Sequence, residues 1–210
     1  MLFDTGCHPS VVDNAEARWG KLARVMTPLM TAEETLLPSL ACVGLTPDDI
    51  DIVVNSHFHP DHCGCNQFFS KATILAHAKE IEAAQAPAAE AAGYLRVDWD
   101  SGQPIEAING QRDLFGDGRI TLVPLPGHTP GSIGALVNLD RDGSFLLASD
   151  AISLRQHLDT DVTPRNTWNP EVLLKTFEEV RAIEQSGATV ICGHDDGQWQ
   201  HLRKGTEFYE

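Results

Sequence analysis

The residues best suited to chemistry follow the apolar run 50–54 and are His57, His59, Asp61 and His62. His57 and His59 are two positions apart, so on an extended strand end both imidazoles project to the same side and can share one metal ion. Asp61 and His62 continue into the following loop, where a turn aims them at a second point nearby. The spacing predicts a site for two metal ions.

A hydrolytic metal site needs imidazoles and carboxylates that leave one position open for water. Three further candidate ligands stand where an apolar run gives way to a loop: His128 beside glycine and proline, Asp150 after the run 145–149, and His194 after the run 189–192. Small or turn-forming neighbours let the backbone come close at each position. We therefore predict that His128, Asp150 and His194 complete the site.

A lone buried histidine is more often a hydrogen-bonded core residue than a ligand. The pattern His-x-His-x-Asp-His differs, because three imidazoles and a carboxylate buried together without a cation leave costly unsatisfied groups. The remaining histidines keep the structural interpretation; they are His8, His77, His157 and His201.

Short apolar runs rich in branched residues alternate with helical patterns, which favours a mixed α/β fold in a single domain, residues 1–210. The predicted strands are Ile50–Val54, Thr73–Ala76, Ile105–Ile108, Ile120–Pro124, Ile133–Leu139, Phe145–Ala148 and Thr189–Cys192. The predicted helices are Ala32–Val43, Ala78–Ala92 with an interruption near Pro87, and Pro170–Ser186. Residues 140–143 predict a hairpin turn.

The composition of the chain limits the classes of partner that it can bind. The chain has 210 residues and a formal net charge of −15, a surface that repels nucleic acid and anionic membranes. The longest apolar runs fall far short of the ~20 residues that span a bilayer. The N-terminus lacks a basic and apolar leader, and five cysteines are an odd number, so we expect reduced thiols and a cytoplasmic protein.

The motifs resemble those of the metallo-β-lactamase superfamily, and the chain as a whole resembles its N-acyl homoserine lactonase branch. The segments that carry the resemblance are Leu2–Gly6, Ser56–Gly64, Pro126–Gly131, Ser149–Ala151 and Gly193–Asp195. It implies an αββα sandwich with two zinc ions, other divalent transition metals being the alternative. By this resemblance the first ion is held by His57, His59 and His128, the second by Asp61, His62 and His194, and both by the bridging carboxylate of Asp150.

The resemblance also implies a reaction. A hydroxide bridging the two metal ions attacks the carbonyl of a small lactone or ester, and the lactone ring of an N-acyl homoserine lactone opens. Asp61 then passes a proton to the leaving alkoxide. Asp4, in the Asp-Thr-Gly turn, is expected to be structural or to support a ligand.

Two features depart from the lactonase pattern. Lactonases usually carry a tyrosine three residues after the bridging aspartate, where this chain has Ser153. Ser153 is too short to replace a phenol, so His157 is the candidate donor, with a position on a surface loop as the alternative. The second departure is a shortened N-terminal part, since family members have sheet strands before the turn that begins here at Asp4. Either the start codon was placed late or the protein has a trimmed first sheet. An uncovered sheet edge then predicts a homodimer or a covering helix near residues 13–30.

Two alternatives stay open. One is a superfamily hydrolase for another ester or thioester; a thioesterase would need a basic patch that the acidic chain does not clearly show. The other is a metal-binding scaffold that has lost its activity. Asp150 counts against a β-lactamase, which usually lacks a carboxylate at the bridging position.

Overall fold

The computed structural model describes residues 1–210 and contains two β-sheets, one of four strands and one of five. The chain divides into two units. The N-terminal unit comprises residues 1–76 and 81–107, and the C-terminal unit comprises residues 77–80 and 108–210. The mixed α/β class predicted from the sequence is confirmed. No helix combines the length and apolar character that crossing a membrane requires.

The four-stranded sheet has the order β1-β2-β3-β4, with β1, β2 and β3 parallel. Its elements are β1 (Leu2–Phe3), α1 (Ser10–Trp19), α2 (Leu36–Cys42), β2 (Ile52–Val54), α3 (Pro60–Cys63), β3 (Thr73–His77), α4 (Ala78–Gln85), α5 (Arg96–Trp99) and β4 (Ile105–Ile108). Val53, Val54 and Ile74 are fully buried, as expected of parallel strands covered on both faces. The carboxyl end of β2 leads directly into the candidate ligands of residues 57–62.

The second sheet has the order β5-β6-β7-β8-β9 and is antiparallel up to β8, with β8 and β9 parallel. Its elements are β5 (Arg112–Asp113), β6 (Ile120–Pro124), β7 (Ile133–Leu139), β8 (Gly143–Ser149), α6 (Arg155–Thr160), α7 (Pro170–Gln185), β9 (Thr189–Cys192) and α8 (Asp196–Trp199). The predicted hairpin is confirmed, because Leu139 pairs with Gly143. Candidate ligands follow β6, β8 and β9.

Helix α7 shows how sequence dictates one element. Asn169 caps it by accepting from the backbone N–H groups of Glu171 and Val172, and Pro170 stands in the first turn, where no N–H is needed. Phe177 and Val180 recur on one face and are fully buried in the core that includes β8 and β9. The prediction of a helix over residues 170–186 is confirmed.

A strand is found at each predicted place, although the first begins at Ile52 rather than at Ile50, whereas two helical predictions need correction. The single helix over residues 32–43 is wrong: a 3₁₀ turn over Ala32–Glu34 ends at Thr35, whose extended backbone (φ −74°, ψ 166°) separates it from α2. A helix does occur near residues 13–30, but α1 begins earlier, at Ser10, and a 3₁₀ turn follows it at Gly20–Arg24. The helix over residues 78–92 is interrupted near Pro87 as expected, since α4 ends at Gln85.

A buried ion pair ties α1 to α5 within the N-terminal unit. Arg18 Nε donates to Asp98 Oδ1 over 2.6 Å, and the Asp98 side chain is 0% exposed. Asp98 Oδ2 is buried without a hydrogen-bond partner. Burial raises the pKa of Asp98 from 3.8 to about 6, against the opposing hydrogen bond and charge of Arg18.

Replacing Arg18 by methionine is expected to destabilise the fold in a pH-dependent way. Removing one partner of a buried pair leaves an uncompensated charge, which costs about 3–5 kcal/mol of unfolding free energy at pH 8. Loss of Arg18 removes the hydrogen bond and the charge that lower the pKa of Asp98, so in the variant this pKa rises further above its value of about 6 in the parent. Between that higher pKa and about pH 6 the folded variant binds a proton that the folded parent does not. The destabilisation relative to the parent should therefore shrink as the pH falls from 8 toward 6, and urea unfolding at several pH values measures it.

The matched control is Arg96→Met, which breaks an exposed pair. Arg96 Nε lies 2.7 Å from Asp100 Oδ2, the same kind of contact, but the arginine side chain is 82% exposed. Little change is expected there. Equal losses in the two variants, or a loss at Arg18→Met that does not vary with pH, would count against burial as the cause.

Candidate functional site

Four candidate ligands cluster in the N-terminal unit directly after β2. His57 Nε2 lies 3.1 Å from His59 Nδ1, and the ring centroids of His57 and His62 are 4.1 Å apart. His62 Nε2 lies 3.6 Å from Asp61 Oδ2. The prediction that Asp61 and His62 lie in a loop is wrong, because Pro60 in the first position starts the helical turn α3. That turn points both side chains toward the same region.

The second nitrogen of each imidazole is held by the protein. His57 Nδ1 lies 3.0 Å from Ser56 Oγ, His59 Nε2 lies 3.1 Å from the Ala92 carbonyl oxygen, and His62 Nδ1 lies 2.8 Å from Asp4 Oδ2. Metal-ligating histidines typically use one ring nitrogen for the ion and the other for such a partner. With the other nitrogen of each ring held in this way, His57 Nε2, His59 Nδ1 and His62 Nε2 are the nitrogens that could face an ion.

Asp4 organises this cluster from the turn after β1. One carboxylate oxygen accepts from the Ser56 backbone N–H and the other from Ser56 Oγ, both over 2.7 Å, while the latter oxygen also faces His62. Asp4 adopts a positive φ of 58°, which aspartate and asparagine tolerate better than most residues. Its supporting position matches the sequence expectation.

Replacing Asp4 by asparagine should weaken metal binding without removing a ligand. Asparagine suits the positive φ, but it loses the charge that orients His62, a loss that typically costs about 10–100-fold in metal affinity. Titration of metal-free protein with zinc against a chelator measures the change. Asp48→Asn, in an exposed pair with Lys71, is the control and should bind metal like the parent; identical affinity in Asp4→Asn would show that the carboxylate does not support the ligand.

Three candidate ligands meet in the C-terminal unit. Asp150 Oδ2 lies 3.4 Å from His128 Nε2, and Asp150 Oδ1 lies 2.9 Å from His194 Nε2. The carboxylate thus presents one oxygen to each of two imidazoles. This arrangement is compatible with a carboxylate that bridges two ions.

The backbone around Asp150 is unusual. Ser149 has φ 48° and ψ −144°, a conformation that side chains rarely adopt, and Asp150 opens a 3₁₀ turn immediately after β8. Non-glycine residues held in such conformations concentrate at functional sites. Gly193 is equally constrained, because a Cβ there would lie 2.7 Å from Asp150 Oδ1.

The loop that carries His128 is anchored by a buried carboxylate. Glu80 is 0% exposed, and its Oε2 accepts from Thr129 Oγ1 over 2.7 Å and from the Gly131 N–H over 3.0 Å. A Cβ on Gly131 would lie 2.3 Å from the Glu80 backbone nitrogen, so only glycine permits this approach. Glu80 and Gly131 therefore fix the turn that presents His128.

Asp195 shows the electrostatics beside His194. Its carboxylate accepts from the backbone N–H groups of Gln198 and Arg155, and these hydrogen bonds lower the pKa of Asp195. The carboxylate is therefore ionised at neutral pH and continues to cap α8. It holds the chain immediately after His194.

His157 does not lie in a loop but in α6, and its Nδ1 is buried without a hydrogen-bond partner. Ser153 Oγ donates to the Asp150 carbonyl oxygen over 3.4 Å. Ser153 is thus engaged locally, whereas His157 Nδ1 has no hydrogen-bond partner. A role for His157 in the reaction stays a prediction.

The cysteines and remaining histidines lie outside these clusters. Cys65 donates to the Cys7 carbonyl oxygen over 3.1 Å, and burial raises the pKa of both thiols to about 12. Thiols of this kind pack rather than react. His8 stacks on Phe68, and His77 Nδ1 accepts from the Lys79 N–H, both as expected of structural residues.

Sequence reasoning missed several residues that support the ligands. Ser56 lies inside the recognised motif but was not assigned a role, although it contacts both Asp4 and His57. Glu80 lies far from His128 along the chain, and nothing in its local pattern marks it. Only tertiary contacts identify such residues.

Comparison with known proteins decides the family. The sequence model of the Metallo-beta-lactamase superfamily matches residues 1–194. The chain belongs to this superfamily. Its two-sheet α/β architecture is accordingly the metallo-beta-lactamase fold, and the resemblance inferred from the motifs is confirmed.

Similar proteins within this superfamily are lactonases. N-acyl homoserine lactonase AttM of Azorhizobium caulinodans is 31% identical over 216 residues, which cover 100% of this chain and 82% of that protein. N-acyl homoserine lactonase AiiB of Agrobacterium fabrum is 32% identical over 227 residues, covering 100% of this chain and 80% of AiiB. A solved N-acyl homoserine lactone hydrolase with N-hexanoyl-L-homoserine at its catalytic metal centre superposes with a TM-score of 0.87 at 27% identity, covering 99% of this chain and 81% of that one.

Proposed function

We propose that this protein is a metal-dependent hydrolase that opens the lactone ring of N-acyl homoserine lactones. The observation that carries the proposal concerns the three candidate histidine ligands of the N-terminal unit. In each of them one ring nitrogen contacts a protein group, and these groups belong to Ser56, Ala92 and Asp4. Such pairing prepares ligands for an ion. Relatives that match along the whole chain are N-acyl homoserine lactonases, which supplies the substrate class.

The donor set fits two zinc ions. Imidazoles and carboxylates are the ligands zinc prefers at catalytic sites, and the two oxygens of Asp150 each face a different imidazole. We assign the ligands as His57, His59 and His128 for one ion and Asp61, His62 and His194 for the other, with Asp150 common to both. Family membership and the contacts within each unit support this assignment. We infer that residues 1–210 form one catalytic domain, in keeping with the single family model over residues 1–194.

Zinc ions bound there would activate water at neutral pH and polarise the lactone carbonyl. The residues of the chain hold the candidate ligands and orient them. Asp4 and Ser56 keep His62 and His57 in one orientation and one tautomer, and Asp150 aligns His128 with His194. The site residues are therefore set before substrate arrives, which lowers the barrier because little must reorganise.

Asp61 is our candidate for moving the proton. Its side chain is 22% exposed and its Oδ2 lies 3.6 Å from His62 Nε2, so it is reachable from solvent and fixed at the cluster. Ring opening adds water across the ester bond: the acyl carbon gains the hydroxyl group, and the departing ring oxygen needs a proton. Asp61 takes the proton from water and delivers it to that oxygen.

His157 is proposed to donate a hydrogen bond to the substrate, in the role for which Ser153 is too short. Its buried, unpartnered Nδ1 supports this assignment. His157→Ala should lower kcat for lactone opening by about 10–100-fold while leaving bound metal unchanged, as loss of a group that acts on the reacting atoms does. His201→Ala, at an exposed histidine, is the control; equal rates in His157→Ala and the parent would remove His157 from the mechanism.

We infer a cytoplasmic location, because all five cysteines are free thiols. A homodimer stays our prediction, and sedimentation equilibrium tests it: a single monomeric species would contradict it.

A substrate panel tests the proposed function. The purified protein is incubated with N-hexanoyl-L-homoserine lactone, a phenyl ester, a thioester and a β-lactam, and hydrolysis is followed by mass spectrometry. The proposal predicts the highest kcat/KM for the lactone. Faster hydrolysis of the phenyl ester or the thioester would favour the alternative superfamily hydrolase, and bound metal with no hydrolysis of any compound would favour the inactive scaffold.

A further inference from the structure

His194 is the most exposed of the three candidate ligands in the C-terminal unit. Its side chain is 44% exposed, against 0% for His128 and 6% for Asp150. A cavity of about 230 Å³ lies beside it, lined in part by Trp199 and Leu202. Packing therefore encloses this imidazole only in part. A ligand in that situation depends on its backbone being held rigidly, because ion geometry tolerates little displacement.

Gln198 holds the strand that leads into His194. Its Oε1 accepts from the Cys192 N–H over 2.8 Å, and its Nε2 donates to the Val190 carbonyl oxygen over 2.7 Å. Strand β9 is the edge of its sheet, so these two backbone groups are the ones that a further parallel strand would bond. The side-chain amide of Gln198 thus takes the place of a neighbouring strand at Val190 and Cys192, the last two residues before His194 whose backbone groups face the open edge of the sheet.

The same residue also holds the chain after His194. The Gln198 backbone N–H donates to Asp195 Oδ1 over 2.9 Å, and Asp195 Oδ2 accepts from the Arg155 N–H over 2.8 Å. The His194 N–H itself donates to the Ser153 carbonyl oxygen over 2.9 Å. Gln198 thus contacts residues on both sides of His194: its side chain bonds the backbone of β9 before the ligand, and its backbone N–H donates to the Asp195 carboxylate after it.

We propose that Gln198 is a positioning residue for His194, which it holds for the metal ion assigned to that imidazole. The inference rests on the proposed function in so far as His194 is a ligand. If Gln198 served stability alone, its loss would lower the melting temperature while the folded protein still bound both ions with unchanged affinity. A positioning role predicts instead that one of the two ion affinities falls.

Cobalt titration of the metal-free protein separates these roles. The variants are Gln198→Ala, which removes both side-chain bonds, and Gln198→Glu, which keeps the acceptor but cannot donate to Val190 when ionised. The control is Gln200→Ala, in which the lost contact is an exposed hydrogen bond to Asp196. Competition with a chelator gives the two affinities, and the visible absorption of bound cobalt reports its coordination.

Both Gln198 variants are expected to weaken one of the two affinities by about 10–100-fold and to change the cobalt spectrum, whereas Gln200→Ala matches the parent. Unchanged affinities and an unchanged spectrum in folded Gln198→Ala would overturn the inference, whatever happens to its melting temperature. If Gln198→Ala does not fold, Gln198→Glu decides by the same criterion. A parent that binds no cobalt also overturns it.

The same samples are assayed with N-hexanoyl-L-homoserine lactone, which keeps the two proposals distinguishable. A parent that binds two ions but does not open the lactone contradicts the proposed function and leaves the positioning of His194 intact. A parent that opens the lactone, together with a Gln198→Ala variant of unaltered affinity, contradicts only the positioning role.

Discussion

Asp150→Ala is expected to abolish both metal retention and lactone opening, with a loss of activity of about 10³-fold or more, since metal ions supply several kcal/mol of transition-state stabilisation. The side chain of Asp150 is 6% exposed, and its two oxygens face His128 at 3.4 Å and His194 at 2.9 Å. Alanine removes the group shared by both assigned ions and leaves the two imidazoles without their common partner. Metal analysis and kcat/KM on the same sample measure the effect.

Asp140→Ala is the matched control for this prediction. Asp140 lies on the hairpin between β7 and β8, its side chain is 83% exposed, and it contacts Arg119 at 3.2 Å. This substitution should leave metal content and activity at the parent level. An Asp150→Ala protein that folds, keeps two ions and hydrolyses the lactone normally would refute the bridging role.

Gly193→Ala is expected to damage the site although every assigned ligand remains. The added Cβ would lie 2.7 Å from Asp150 Oδ1 and 2.8 Å from the Ser149 carbonyl carbon, so either the carboxylate or the backbone must shift. Displacement of a catalytic group by about 1 Å costs about 10²-fold in rate. We expect a loss of that size in kcat/KM together with reduced metal content.

Gly197→Ala controls for the loss of a glycine near His194. A Cβ at Gly197 would meet only Asp195 Oδ1, at 3.3 Å, and a side-chain oxygen yields more easily than backbone does. Parent-like activity is expected for this variant. If Gly193→Ala also retained parent-like metal content and rate, the close approach of Gly193 to Asp150 would have no functional meaning.

Much of the fold was predictable because its strands are short runs of branched apolar residues. Val53 and Val54, for example, belong to a run of branched apolar residues and are fully buried on β2. The break at Thr35 was not predicted, because the residues on both sides of it, 32–34 and 36–37, are good helix formers. The Thr35 hydroxyl donates instead to the Ala32 carbonyl oxygen. The helical turn that begins at Pro60 was missed because its four residues are too few to show the spacing of apolar residues that marks a helix.

The candidate ligands could be predicted because metal chemistry restricts both residue type and spacing, as with His57 and His59. The groups that hold them could not be predicted in the same way. Gln198 has no chemical signature, and its role depends on β9 being an edge strand, which is a property of the sheet as a whole. The positive φ of Ser149 likewise arises from tertiary structure, because serine does not favour that conformation intrinsically.

The most direct test of the central claim is a zinc titration of lactone opening. Protein stripped with a chelator is reconstituted with increasing zinc, and N-hexanoyl-L-homoserine lactone hydrolysis and bound zinc are measured on each sample. If the protein is a metal-dependent lactonase, we expect negligible hydrolysis by the stripped protein and activity that rises with bound zinc up to two ions per chain. Full hydrolysis by the stripped protein, or none by protein carrying two zinc ions, would contradict it.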